Sequence, residues 1–78
     1  MPSILWIDGF RFFFYSSDRP EPMHVHIEKG DANAKVWLYP IRLQNSHGFS
    51  KSDINRILKY VEQNSELIME AWNEFFND

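Results

Sequence analysis

ILWIDGFRFFFY (residues 4–15) reads as a β-hairpin. Ile4-Leu5-Trp6-Ile7 and Phe10 to Tyr15 are rich in the β-branched and aromatic residues that strands favour. Asp8-Gly9 between them suits a two-residue type I′ turn, which needs positive φ at both positions. That turn sets Ile7 opposite Phe10 and Leu5 opposite Phe12. Alternation then puts Leu5, Ile7, Phe10, Phe12 and Phe14 on one face, with Ile4, Trp6, Arg11, Phe13 and Tyr15 on the other.

Ser16 to Pro22 is polar and turn-forming, with two prolines that favour an extended loop. His24–Lys29 and Ala34–Tyr39 follow as strands three and four. A four-residue loop, Gly30 to Asn33, pairs Lys29 with Ala34. In that register Glu28 faces Lys35, His26 faces Trp37 and His24 faces Tyr39. Val25, Ile27, Val36 and Leu38 share the opposite, apolar face. Pro40 ends the fourth strand.

The second half changes period. Ser50 and Asp53 are spaced as a capping box, and Phe49 and Ile54 as a hydrophobic staple. Ile54, Ile57, Leu58 and Val61 recur at helical spacing, as do Leu67, Ile68, Ala71, Trp72 and Phe75. The polar run Glu62-Gln63-Asn64-Ser65 interrupts the stripe. A helical hairpin is the first reading, with one kinked helix as the alternative. The expected fold is α+β: a four-stranded antiparallel meander (residues 1–43), then a C-terminal helical hairpin (residues 49–76) on one face, in a single domain.

Seventy-eight residues sit near the lower size limit for a single core, partly offset by 17% aromatic content. There is no cysteine, hence neither a disulfide nor a thiolate nucleophile. No leader-like segment or membrane-length apolar run is evident, so a cytoplasmic protein is expected. Residues 1–49 carry five basic and five acidic side chains, and residues 50–78 three and six, giving a net charge of −3. That balance weighs against nucleic acid as a ligand, with only Arg11, Lys35 and Arg42 as a local basic patch.

The chain resembles domain-of-unknown-function family 4160. The features are Met1-Pro2-Ser3-Ile4, the Pro-rich approach to His24-Val25-His26, and Glu66-Leu67 followed by Glu70-Ala71-Trp72. The family pattern sets proline directly before the first histidine, whereas here Met23 intervenes. The resemblance implies a partner-binding bacterial protein, one half of a two-gene toxin–antitoxin-like or regulatory pair. Its partner would be a second copy or the adjacent gene's product, commonly of domain-of-unknown-function family 2442.

Four roles compete for His24 and His26. They can pack on neighbouring aromatics as ordinary strand residues. They can hold a zinc ion, for which Glu28 on the same face or His47 on the connection to the helices would be the third ligand; no metal or other cofactor is assigned. They can act as paired proton carriers in a small ribonuclease toxin, although no Lys/Arg cluster awaits a phosphate. Or they can contact a protein. One helical hairpin covers one face of a sheet, which leaves Trp6, Phe13, Tyr15, His24, His26, Trp37 and Tyr39 on the other as the expected interaction surface. The glutamates at 62, 66, 70 and 74 recur every four residues, which suits a solvated helix face or, alternatively, contact with a basic partner.

Overall fold

A computed structural model describes residues 3–77. The chain runs through strands β1 (Ser3–Ile7), β2 (Phe10–Phe13), β3 (His24–Lys29), β4 (Ala32–Leu38) and β5 (Ile41–His47). Helices α1 (Lys51–Gln63) and α2 (Ser65–Phe75) follow. The sheet is an antiparallel meander in the order β1-β2-β3-β4-β5. Met1 and Pro2 of the opening motif, and Asp78, lie outside the described residues.

The first turn forms as its residues require. Asp8 has φ 53° and Gly9 φ 83°, and Ile7 pairs with Phe10 and Leu5 with Phe12. A register irregularity lies between Ser3 and Leu5. Ile4, which strict alternation places beside Trp6, packs instead against the core.

The sheet has five strands, not four, and extends to His47 rather than residue 43. The fourth strand does stop before Pro40, at Leu38, but a fifth strand follows it. Tyr39 and Pro40, joined by a cis peptide bond, connect β4 to β5, with Leu38 paired to Ile41. The β3–β4 connection is also shorter than the sequence suggested. Lys29 pairs with Ala32 across Gly30-Asp31, so Glu28 faces Asn33, His26 faces Lys35 and His24 faces Trp37. This register is two residues from the expected one, so every side chain keeps its face while its partner changes. The expected Glu28–Lys35 pair is replaced by Arg11–Glu28 and Lys35–Glu21, both at 2.6 Å.

Helix α1 starts at the expected cap. Ser50 Oγ accepts from the Asp53 amide at 3.1 Å, and Asp53 Oδ2 accepts from the Ser50 amide at 3.4 Å. Arg56 and Tyr60 then donate to Asp8 Oδ2 at 2.8 and 3.2 Å, tying α1 to the first hairpin turn. The two helices meet at Asn64 alone. An αα-hairpin needs a loop of about two to five residues, whereas here Asn64 N donates to Tyr60 O and Ile68 N to Asn64 O. The joint is a kink between two helices rather than a hairpin loop.

Phe10, Phe12, Phe14, Val25, Ile27, Val36 and Leu38 from the sheet side meet Ile57, Val61, Ile68 and Trp72 from the helices in one buried cluster. The helices therefore cover the face that the strand pattern marked as apolar. The opposite face stays open over most of its area, except at one end, where the segment between β2 and β3 folds over it and Trp72 of α2 reaches His24.

Candidate functional site

That fold-over builds a cluster that strand alternation alone does not reveal. After β2, residues Ser16–Asp18 make one 3₁₀ turn, with Asp18 Oδ2 accepting from the Tyr15 amide at 2.8 Å. The turn carries the Asp18 side chain inward, and the residue is only 6% exposed. The prolines then return the chain to β3, where Pro22 O accepts from Nδ1 of His24 at 2.8 Å. Alternation along β3 sends His24 and His26 to the same face, beneath that turn.

Asp18 consequently sits between two imidazoles. Its Oδ1 lies 3.1 Å from His24 Nε2 and 3.2 Å from His26 Nε2, and its Oδ2 lies 3.0 Å from His26 Nε2. One ligand atom from each residue falls within 4.8 Å of the others. The His24 ring is fully buried and closed in by Trp37 at 5.5 Å and by Trp72 of α2 at 5.3 Å. His26 packs on Phe13 and Tyr15, and its side chain keeps 17% of its surface. It lines a shallow cleft with Tyr15, Glu28, Lys35 and Asn45.

Burial opposes ionisation of Asp18, but the Tyr15 amide and the two histidines outweigh it and hold the carboxyl below its ordinary value. Burial pushes His26 down further than Asp18 pulls it up. At neutral pH the cluster therefore contains a carboxylate and a neutral His26.

The seven residues expected to form an interaction surface divide. Trp6, Tyr15 and Tyr39 are exposed, and His26 and Trp37 are half-buried. Phe13 and His24 are buried and leave the accessible surface. Burial also removes His24 as a group that touches an RNA phosphate, so a two-histidine ribonuclease would lose one proton carrier. Neither candidate third ligand joins the cluster. Glu28 pairs with Arg11, and His47 ends β5 opposite Asn33 rather than sitting on the connection. Asp18 takes that place, and its only sequence signal was an acid in the Pro-rich approach to the His-x-His strand.

A second concavity lies between edge strand β1 and α2. Ile4, Phe14, Leu67, Ala71 and Phe75 line it, with Glu70 and Glu74. Leu67 is half exposed. No Lys or Arg occurs from residue 62 to 78, where five acidic residues stand.

The family model described as domain of unknown function, DUF4160, matches residues 9–73. No curated protein and no solved structure matches the chain.

Proposed function

The chain belongs to the domain-of-unknown-function family DUF4160, and on that premise we propose that it is a partner-binding protein. It is one half of a two-gene toxin–antitoxin-like or regulatory module. It captures a basic, apolar segment of its partner between β1 and α2. The observation that carries this reading is the groove itself, with an apolar lining of Ile4, Leu67 and Phe75 beside Glu70 and Glu74. Apolar area supplies affinity, while a one-signed stretch of chain selects the opposite charge and speeds encounter. Trp6, Tyr15, Trp37 and Tyr39 extend the contact over the open sheet face, where Trp and Tyr tolerate water until a partner arrives.

The test is co-expression with the adjacent gene's product, followed by size-exclusion chromatography at low and high salt. A complex that weakens with salt, and is lost when Glu70→Lys and Glu74→Lys are combined, supports the reading. Separate elution of the two proteins at low salt overturns it. So does RNA cleavage by the chain alone that vanishes in His26→Ala, which assigns the protein to the nuclease class instead.

A further inference from the structure

Nε2 of His24 is buried and finds no hydrogen-bond partner among the described residues. Leaving such an atom unsatisfied is destabilising. The Pro22 carbonyl can only accept, so the proton of a neutral His24 sits on Nδ1. The bare lone pair of Nε2 then faces Asp18 Oδ1, itself an acceptor, across 3.1 Å. His26 Nε2 approaches that same oxygen at 3.2 Å. His26 donates from that nitrogen to the carboxylate, so once its proton is displaced three lone pairs converge on one small volume.

We propose that Asp18, His24 and His26 bind one divalent first-row transition ion of the zinc type, through Oδ1 and the two Nε2 atoms. A tetrahedral ion with bonds of about 2.0–2.1 Å sets its ligands roughly 3.3 Å apart, close to the 3.1 and 3.2 Å found between Asp18 and the histidines. The outer contacts are those of a built site. His24 donates its other nitrogen to a backbone carbonyl, which fixes ring and tautomer. The second oxygen of Asp18 is held by the Tyr15 amide. Two imidazoles and one carboxylate favour zinc, iron, cobalt or nickel over magnesium and calcium, which prefer all-oxygen shells. Three protein ligands leave a fourth position open, as in catalytic rather than closed structural sites. His26 carries the site's remaining exposure, so that position faces the cleft it shares with Tyr15 and Lys35.

The test uses the untagged full chain, stripped with chelator and titrated with Zn²⁺ by calorimetry and with Co²⁺ by visible spectroscopy. One ion per chain is expected, with cobalt ligand-field bands and a thermal midpoint that rises with zinc concentration. Asp18→Asn and His26→Asn should each weaken binding by more than about tenfold. Since His24→Ala removes a buried ring, the other two variants, checked for fold by circular dichroism, carry the test. Absence of saturable binding overturns the proposal. Equal zinc affinity in wild type and both folded variants overturns it too, since the ion would then sit elsewhere.

Discussion

His24 and Asp18 face each other across 3.1 Å at the covered end of the open sheet face, and neither can turn away. The Pro22 carbonyl holds the far nitrogen of the imidazole, and the Tyr15 amide holds the far oxygen of the carboxylate. The pair thus pins the segment between β2 and β3 to the first residue of β3. In chelator, His24→Ala should cost about 3 kcal/mol, because it opens a cavity beside Trp37 and Trp72 and leaves the Pro22 carbonyl without its imidazole donor. Urea unfolding of the metal-free variant measures this, and a loss below about 1 kcal/mol would show that the pair contributes little to holding the fold.

The cap of α1 gives a prediction with a defined pH sense. Ser50→Ala should cost about 1 kcal/mol at neutral pH. The Arg56 guanidinium, with Ser50, holds the Asp53 carboxyl below its ordinary 3.8. A carboxyl depressed in the folded state stabilises above its unfolded value, and that contribution is lost as pH falls through the folded value. Stability should therefore drop below about pH 4, less steeply in Asp53→Ala. The difference should shrink with added salt, because the group is at the surface. Thermal melts between pH 2 and pH 7 test the sign.

How far the sequence reached depended on how local each signal was. Asp8-Gly9 and Ser50–Asp53 specify their structures through a few adjacent residues, and both formed as read. A four-residue loop sets the predicted β3–β4 register, with a Glu28–Lys35 pair in agreement, yet Glu28 meets Arg11 on β2 and Lys35 meets Glu21 in the loop. Charges with several possible partners do not fix a register. β5 carries little strand signal, because only Ile41 and Leu43 alternate before the polar run Gln44 to His47, and Pro40 precedes it. Asp18 was missed because its contacts with His24 and His26 exist only once the loop folds over the sheet.

Two glycines at positive φ separate backbone strain from crowding. Gly30 has φ 60° and none of the described residues within 4 Å of an added Cβ, while Gly48 has φ 84° and would set that carbon 3.1 Å from Ala32 Cβ and 3.2 Å from Ala32 Cα. Gly30→Ala should cost about 1 kcal/mol from conformation alone. Gly48→Ala should cost more, about 2–3 kcal/mol, since Ala32 leads a strand held on both sides. Paired denaturation midpoints decide it, and equal losses would mean that Ala32 yields freely.

Trp6 and Trp72 test the claim that the helices shield one face of the sheet and leave the other open. Trp72 projects from α2 into the core, 7% exposed, with its ring 5.2 Å from Phe14. Trp6 stands on β1 at 65% exposure. Trp72→Ala removes a large buried ring and should cost about 3–5 kcal/mol, enough to unfold much of so small a domain. Trp6→Ala should change stability by no more than about 0.5 kcal/mol, as for an exposed side chain with few contacts. In the folded protein the emission lost on deleting Trp6 should also be the fraction most readily quenched by iodide. A Trp6→Ala loss matching a core truncation would mean that this face is packed within the chain itself and is not available to a partner.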